Sequence, residues 1–464
     1  MTLDRLSPLD ASFLHVEDDV SHMHIGAIGI FEGPVPRFED VVEMVKGKLP
    51  LVPRYRQVVH FVPLQLGRPV WADDSSFDLS YHLRHTALPA PGGEAELRAL
   101  VGRIMAQQLD RTKPLWEIWV VDGLSGDRWA MVSKTHHALV DGVAGTELLA
   151  VIMDTSPTPS APVPDEWTPG PSPNGVRLMV DAARGLASSP YEQFRAVRAG
   201  TRVPRAALRY AGEVARGLTS MAGVAKPTPV STLNGPLGPH RRYAWAGTSV
   251  DAIKRVRKSF GGAFNDVVLA AITNGFRDLL LSREESVDRV VRTLVPVSVR
   301  ARGLGPAVGD GTMQNKVSAM FAELPVGIED AVERLRMITV QMDGLKESKE
   351  AVAGEALTSL SGFAPPMLLA LGMRLATRVA QRNVNTVTTN VPGPQLPLYV
   401  AGRRMVAAYP YVPLASQVRI GVAIFSYDGQ VTFGITGDWD TTPDLDVLAR
   451  GIDQGMAEML RRCD

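Results

Sequence analysis

The chain has 464 residues and equal numbers of acidic and basic side chains, 49 of each, so its formal net charge is zero. This length predicts two or three domains with a large buried core, and the charge balance excludes a nucleic-acid partner. The single cysteine, Cys463, excludes an internal disulfide and a thiolate metal site. Without a secretory signal or an apolar run of about 18 residues, we expect a cytoplasmic protein that does not span a membrane.

Strand-like and helix-like patterns alternate through the first half of the chain. A strand is predicted over His22 to Phe31, followed by helices over Phe38 to Leu49 and Glu94 to Leu109 with apolar residues at helical spacing. Two more strands, Glu117 to Asp122 and Trp129 to His136, are rich in β-forming residues. This half of the chain predicts an α/β layer.

Three histidines near the start, His15, His22 and His24, raise the question of a metal site. No carboxylate or cysteine partner stands at ligand spacing in the sequence. We therefore expect strand and loop histidines, and no metal.

The residues that can carry chemistry follow the strand that ends at His136. His136 and His137 stand at its end, and Asp141 and Gly142 can begin a helix. A neutral imidazole at such a corner can remove a proton from a hydroxyl or a thiol. Adjacent residues on a strand point to opposite faces, so the two histidines cannot both reach one substrate. On the residues alone, a structural cluster with the aspartate as an ion pair or helix cap explains the pattern equally well.

The middle of the chain predicts a linker rather than a domain. Residues 155–173 are rich in proline and have almost no periodicity, which indicates an exposed connector. Residues 177–226 combine an excess of arginine with apolar residues at helical spacing. Contact with a membrane or lipid droplet is one interpretation of this basic segment, and a helix packed on its own protein with a solvated basic face is the other, which we favour.

The second half again alternates strands and helices. Asn265 and Asp266 stand where a long helix begins and can cap it. The β-rich run Val290 to Val299 predicts a buried central strand, and Arg300 at its end can pair with a buried carboxylate. The apolar segment 365–380 predicts a core helix, although it can also line an acyl tunnel or touch lipid.

The His-His-x-x-x-Asp-Gly pattern of residues 136–142 resembles the signature of the coenzyme A-dependent acyltransferase superfamily, which includes chloramphenicol acetyltransferase and peptide-synthetase condensation domains. Five further segments resemble the bacterial wax ester synthase/diacylglycerol acyltransferase family and occur in its order. They span almost the whole chain: Leu6 to Leu14, His22 to Gly26, Pro114 to Glu117, Asn265 to Ala270 and Asn390 to Pro394.

The resemblance implies a fold of two chloramphenicol-acetyltransferase-like α/β sandwich domains with the active site in the cleft between them. We place these domains at residues 1–155 and 241–464, joined by the proline-rich and helical linker at 156–240. The implied reaction transfers a long acyl group from acyl-coenzyme A, a substrate rather than a bound cofactor, to diacylglycerol, a long-chain alcohol or both. The protein would meet these lipids in the cytoplasm or peripherally at the inner membrane or lipid droplets.

The resemblance also implies roles for individual residues. His137 is the expected general base, Asn265 lies near the reacting carbonyl, and Asp141 forms a structural ion pair for which Arg300 is our candidate partner. His136 and a supporting set complete the predicted site: Gly142, Asp266, Pro114, Leu115 and Trp116. We expect direct transfer without an acyl-enzyme, and an apolar tunnel that ends at His137.

Two rival functions stay open from the sequence. One is an acyltransferase that takes its donor from a carrier protein, as condensation and offloading enzymes do, although the chain shows no carrier domain. The other is a lipid-binding relative that has lost its chemistry, against which the intact His137, Asp141 and Asn265 argue. The sequence gives no indication of the oligomeric state.

Overall fold

The computed structural model describes residues 3–139, 151–184, 231–298, 317–347, 384–414 and 417–463. Its strands are β1 (Asp4–Arg5), β2 (His24–Glu32), β3 (Gln57–His60), β4 (Val70–Asp73), β5 (Leu83–Ala87), β6 (Trp116–Leu124), β7 (Arg128–His136), β8 (Arg241–Ser249), β9 (Val291–Ser298), β10 (Val317–Leu324), β11 (Thr386–Pro392), β12 (Tyr399–Val400), β13 (Arg403–Tyr411), β14 (Ile420–Tyr427) and β15 (Gln430–Asp438). The helices are α1 (Pro8–Val16), α2 (Phe38–Lys48), α3 (Leu79–His82), α4 (Glu94–Ala106), α5 (Val250–Phe260), α6 (Phe264–Ser282), α7 (Ala331–Glu347) and α8 (Leu445–Arg461).

Two six-stranded sheets organise the fold, as the predicted α/β class requires. The first has the order β12-β13-β2-β7-β6-β5 and the second the order β10-β9-β11-β14-β15-β8. Single 3₁₀ turns add short connections, at Leu49–Leu51, Pro53–Arg56, Pro63–Gln65 and His137–Leu139. Residues 175–184 are also helical.

The centre of the first sheet sets the position of the predicted base. Strands β2 and β7 run antiparallel in continuous register, with His24 opposite His136. The interior residues of β7 are fully buried, including Trp129, which stacks on Phe31 at 4.4 Å between ring centroids. Burial on both faces fixes the register strongly, because a shift by one residue would turn every side chain to the other face. The register of β7 therefore fixes the position of His136 at the end of the strand.

The second sheet contains parallel and antiparallel strands, and its residues form part of the core of the C-terminal half. Its strand β11 runs parallel to β14, and β14 returns to β15 through a hairpin at Asp428 and Gly429. Both turn residues have positive φ, 44° and 78°, as a two-residue hairpin with an Asp-Gly sequence is expected to have. Helix α6 packs closely on α8, where a Cβ on Gly451 would lie 2.7 Å from the Cα of Gly275. This contact fixes α6, the helix that carries Asn265 in its first turn, against α8.

The two halves of the chain share strands. Strands β12 and β13 come from the C-terminal half but extend the first sheet through the pairing of β13 with β2. Tyr427 of β14 donates its hydroxyl to the carbonyl of Met405 in β13 and accepts the N–H of Leu398. The core of the first sheet thus contains Tyr427 alongside Ala138 and Leu139. The predicted domain limits at residues 155 and 240 stay a prediction.

A small third sheet, β1-β4-β3, lies beside the helical residues 175–184. Leu178 and Ala182 of that segment pack on Val62 and Val70. The basic linker beyond residue 184 and the apolar segment 365–380 lie outside the described residues. Among the described helices, none is both long enough and apolar enough to cross a bilayer.

Candidate active site

The corner that carries His137 is fixed by three hydrogen bonds on successive residues. The backbone N–H of His136 donates to Leu115 O at 2.9 Å, and that of His137 donates to Met23 O at 2.8 Å. The N–H of Ala138 then donates to the Nδ1 atom of His136 at 3.0 Å. The chain leaves β7 through a single 3₁₀ turn, so the imidazole of His137 stands on a short segment that these three hydrogen bonds hold.

The imidazole of His137 is stacked on Phe13 of α1. The ring centroids are 3.9 Å apart and the planes are inclined by 23°. Although part of the residue remains accessible, protein atoms surround the ring, and this burial lowers the pKa of His137 to about 4. The ring is therefore neutral at physiological pH, which is the form that can accept a proton.

His136 is directed away from this stack and is almost fully buried, with 1% of its surface exposed. Its Nδ1 accepts the N–H of Ala138, and its Nε2 lies 3.3 Å from Oε2 of Glu17. The expectation that the two histidines do not serve one substrate agrees with these separate surroundings. The side chain of His136 thus contacts the corner itself, whereas that of His137 contacts Phe13.

Glu17 is a central residue of this region that the sequence reasoning missed. Its side chain is 1% exposed and accepts a hydrogen bond from Nε of Arg111 at 3.1 Å. Its Oε1 lies 3.5 Å from Nε2 of His24 and 3.7 Å from Nδ1 of His22. Spacing in the sequence did not indicate this carboxylate, which the fold brings next to His22 and His24. Even so, no group of side chains in the described residues has the arrangement of a metal site.

Glu17 is anionic in spite of its burial. Desolvation alone would raise the pKa of this carboxyl group, but the contacts of His136 and Arg111 outweigh it and lower the pKa to about 2. Glu17 and Phe13 are four residues apart at the end of α1, a spacing that puts both on one side of a helix. That spacing is the signal in the sequence that could have linked them to one site.

The Pro114-Leu115-Trp116 segment packs next to the corner and is hydrogen-bonded to it. Leu115 and Trp116 are each 1% exposed, and the Leu115 carbonyl is the acceptor for the His136 N–H. The indole of Trp116 donates to Tyr55 O at 2.8 Å and stacks on His82 at 4.4 Å between centroids. These contacts are those of a buried core segment that touches the site through its backbone.

Asn265 and Asp266 have different surroundings: Asp266 caps a helix, and Asn265 contacts a second asparagine. Asp266 is fully buried and caps α6, because its Oδ2 accepts the N–H of Ala263 at 2.8 Å. Asn265 is only partly buried and accepts, at its Oδ1, a hydrogen bond of 2.6 Å from Nδ2 of Asn390. Asn390 lies near the carboxyl end of β11, so the two family-like segments 265–270 and 390–394 meet at this bond.

Comparison with known proteins decides the family. The model of the wax ester synthase/diacylglycerol acyltransferase catalytic domain matches residues 6–268, and the model of the family's C-terminal domain matches residues 313–460. A protein of Mycobacterium tuberculosis, named a probable diacylglycerol O-acyltransferase, is 37% identical over 464 residues, which cover 99% of this chain and 96% of that one. The chain belongs to the wax ester synthase/diacylglycerol acyltransferase family.

Solved structures agree with this family and confirm the predicted fold class. A wax ester synthase/diacylglycerol acyltransferase from Marinobacter aquaeolei superimposes with a TM-score of 0.69 at 25% identity, covering 98% of each chain. The first condensation domain of the CDA synthetase superimposes with a TM-score of 0.60 at 16% identity, covering 100% of this chain and 97% of that one, which shows a shared fold alone. The architecture is thus that of two chloramphenicol-acetyltransferase-like domains, and the protein is an O-acyltransferase by family.

Several predicted site residues of this acyltransferase lie outside the described residues: Asp141, Gly142 and Arg300. The proposed pairing of Asp141 with Arg300 therefore stays a prediction. Two small cavities are lined by described residues, one beside Arg56 and Trp167 and one beside Lys48 and Asp154. Neither of these two cavities includes His137, and the acyl tunnel also stays a prediction.

Proposed function

We propose that this chain transfers a long acyl group from acyl-coenzyme A to the hydroxyl of diacylglycerol, of a long-chain alcohol, or of both, with His137 as general base. The observation that carries the proposal is the neutral imidazole of His137, stacked on Phe13 at a fixed corner of the first sheet. The names of the relatives support diacylglycerol as an acceptor, and the family name supports both acceptors.

In the proposed reaction the imidazole removes the hydroxyl proton while the oxygen attacks the thioester carbonyl. The new C–O bond forms, the tetrahedral intermediate collapses, and the C–S bond breaks. The proton held by the imidazole passes to the leaving thiolate, so the base is regenerated within one cycle. The Nδ1 atom of His137 is buried, and the ring interacts with the backbone of its own residue, so in this proposal Nε2 is the nitrogen that receives the proton.

Asn265 is our candidate for stabilising the carbonyl oxygen. Its Oδ1 accepts the hydrogen bond from Asn390, so the two N–H groups on its Nδ2 do not take part in this bond and can donate to a substrate. A side-chain amide held in this way is a suitable donor for the negative charge that develops on the oxygen. In this proposal Asn390 orients Asn265, and Asp266 fixes the start of the helix on which Asn265 stands.

Direct transfer needs no covalent intermediate on the protein. The only thiol, that of Cys463, packs against the C-terminal core and donates to Met459 O at 3.3 Å. We therefore expect no acyl adduct when the enzyme meets acyl-coenzyme A without an acceptor. Mass spectrometry of the intact protein tests this directly, and a stable acyl adduct would contradict the direct mechanism.

The lipid nature of both substrates suggests where the enzyme acts. We propose a cytoplasmic protein that associates peripherally with the inner membrane or with lipid droplets. Fractionation of cells that make the protein, with and without residues 185–226 of the basic linker, tests this. Retention in the lipid fraction is the expected result, because we favour a segment that packs on its own protein, and release of the shortened protein would assign the lipid contact to this segment.

The central experiment compares His137→Ala with the wild-type enzyme in transfer from long-chain acyl-coenzyme A to diacylglycerol and to a long-chain alcohol. Loss of a general base predicts a rate about 10²- to 10⁴-fold lower. A matched control is His85→Ala, which removes an imidazole that stacks on a phenylalanine, Phe38, away from this corner. Wild-type turnover in the purified His137→Ala protein would contradict the assignment of the base.

Two rival functions predict different results in the same assay. A carrier-dependent condensation or offloading enzyme would prefer an acyl group on a carrier protein to acyl-coenzyme A. A lipid-binding relative without chemistry would bind diacylglycerol but turn over neither donor. We expect turnover with acyl-coenzyme A and a water-insoluble acceptor.

A further inference from the structure

The hydrogen bond from Ala138 to His136 fixes where the proton of His136 is. The backbone N–H of Ala138 donates to Nδ1 of His136 at 3.0 Å, and a nitrogen that accepts a hydrogen bond carries no proton of its own. The neutral ring of His136 therefore has its proton on Nε2. This tautomer is required for the bond to Ala138, which holds the residue that follows His137.

The Nε2 proton of His136 faces one carboxylate. Oε2 of Glu17 lies 3.3 Å away, and both side chains are 1% exposed. The two atoms are in close contact without the alignment of an ideal hydrogen bond, and Nε2 has no other partner within the described part of the chain. Water is thus excluded from this contact, and a buried N–H donor without an acceptor would be costly. Arg111 holds Oε2 from its other side, and it also donates to Leu14 O at 3.1 Å, so the carboxylate is anchored to the end of α1.

The neighbouring histidines cannot replace His136 as the donor to Glu17. Nε2 of His24 accepts the N–H of Leu109 at 3.3 Å, so this nitrogen carries no proton that it could give to Glu17. Nδ1 of His22 lies 3.7 Å from Glu17, which is too long for a hydrogen bond. Among these three imidazoles, His136 alone combines a proton on the facing nitrogen with a short distance.

We propose that Glu17 is a positioning residue for acyl transfer: it accepts the Nε2 proton of His136, and through His136 it fixes the turn that carries His137. The inference rests on the proposed role of His137 as the base. Glu17 acts through this chain of contacts and not by its charge on His137, since the imidazole of His137 is engaged by Phe13 instead. Loss of Glu17 should therefore displace the base without altering substrate binding.

Replacement of the carboxylate tests the proposal. In Glu17→Leu we expect kcat to fall by about 10- to 100-fold, because small displacements of a catalytic group have effects of this size. The KM values for acyl-coenzyme A and for the acceptor should not change. Glu17→Gln should recover part of kcat, because its amide oxygen can still accept from His136 and Arg111.

A matched control separates positioning from stability. Asp154→Leu removes another buried carboxylate of the same half, which pairs with Lys48 at 2.7 Å instead of with a histidine. We expect this variant to lower the unfolding temperature as much as Glu17→Leu does, but to leave kcat per folded molecule unchanged. An unchanged kcat in Glu17→Leu would overturn the proposal.

A double-mutant cycle with His136→Asn identifies the route. Asparagine keeps an oxygen that can accept the Ala138 N–H, but its shorter side chain does not reach the position of Nε2 that faces Glu17, so Glu17→Leu should cause no further loss of kcat in this background. If the full loss persists there, Glu17 acts through another neighbour and the proposal is wrong.

Nitrogen NMR of the wild-type histidines gives a readout that needs neither activity nor a Glu17 variant. The signals of His136 can be assigned by their disappearance in His136→Asn. We expect the proton on Nε2 and an unprotonated Nδ1 at neutral pH, and a proton on Nδ1 would overturn the inference. This measurement stays informative even if His137 proves not to be the base.

Discussion

Phe13 lies face to face on His137, with ring centroids 3.9 Å apart, and thereby joins the first helix of the chain to the corner at the end of β7. The contact does two things at once. It limits the rotation of the imidazole, and it keeps water from one face of the ring. Since desolvation disfavours the charged form, the stack contributes to the low pKa of His137, about 4.

Replacing Phe13 by alanine should therefore raise the pKa of His137 toward its ordinary value of 6.5. In the wild-type enzyme the base stays neutral, and kcat/KM should fall only as the pH approaches about 4. In Phe13→Ala the acid limb of kcat/KM should move to higher pH. Phe38→Ala is the control, because it removes a ring that stacks on His85 at 5.3 Å, outside the site. The same acid limb in Phe13→Ala and wild type would show that the stack does not tune the base.

Buried histidines also predict that the fold loses stability in acid. Burial lowers the pKa of five histidines: His22, His24, His60, His82 and His137. The unfolded chain binds protons at these groups near pH 6.5 while the folded chain does not, so stability is fully present above that pH and is lost as the pH falls. Asp278 and Asp453, whose pKa burial raises, oppose this only at the acid end, because their ordinary pKa is 3.8.

The measurement is the free energy of unfolding in urea between about pH 7.5 and about pH 5, together with proton uptake on unfolding. We expect stability to decrease and protons to be taken up as the protein unfolds at the acid end. His82→Gln, which removes a titrating group outside the corner, should reduce the slope. A free energy of unfolding that does not change over this range would contradict the prediction.

Local patterns were sufficient to locate most of the elements, but not to bring them together. The predicted strand Val290 to Val299 is observed as Val291–Ser298, and the predicted helix Phe38 to Leu49 as Phe38–Lys48. Such elements follow from periodicity and proline positions, which are local properties. The order of strands in a sheet depends on contacts between distant residues, and nothing in the sequence indicated that β13 pairs with β2.

The site shows the same division. His137 and Asn265 were predicted because they stand in recognisable segments, whereas Glu17 was not predicted because its surroundings depend on the pairing of β2 with β7. That pairing sets His24 opposite His136 and closes both over the carboxylate. A charged residue after a helix normally indicates a solvated position. The sequence alone therefore predicts that Glu17 is exposed, although it is buried. The burial of Glu17 and its contacts with histidines become visible only in the folded structure, and they show that this interpretation is wrong.

Trp116 gives a prediction about stability. Its indole is 1% exposed, stacks on His82 and donates to Tyr55 O at 2.8 Å. Trp116→Ala should lower the free energy of unfolding by about 3–5 kcal/mol, whereas Trp116→Phe should lose chiefly the hydrogen bond, worth about 0.5–1.5 kcal/mol. Urea unfolding measures both. The control is Trp439→Ala, since this indole is 42% exposed, and an equal loss in all three variants would count against specific packing at Trp116.

The bond between Asn390 and Asn265 leads to a prediction about catalysis. Nδ2 of Asn390 donates to Oδ1 of Asn265 at 2.6 Å. In Asn390→Asp the new carboxylate can only accept, so the amide of Asn265 must turn over to donate to it. The site would then face an oxygen where the proposed mechanism needs an N–H donor. Loss of such a donor lowers kcat by about 10²- to 10³-fold, and we expect a decrease of this order.

A second asparagine pair at the other end of the same strand supplies the control for Asn390→Asp. Asn385, next to the first residue of β11, donates its Nδ2 to Oδ1 of Asn234 at 2.7 Å, and its own Oδ1 accepts the N–H of Arg292 at 2.9 Å. Asn385→Asp forces the same exchange of donor and acceptor but leaves Asn265 intact, so it should lower stability and not kcat. Steady-state kinetics with acyl-coenzyme A and diacylglycerol compare the two variants.

In the Asn265→Ala background, Asn390→Asp should cause no further loss of kcat, because the amide that Asn390 orients is gone. If Asn390→Asp keeps the wild-type kcat, or if both aspartate variants lose kcat equally, Asn390 does not act by orienting Asn265.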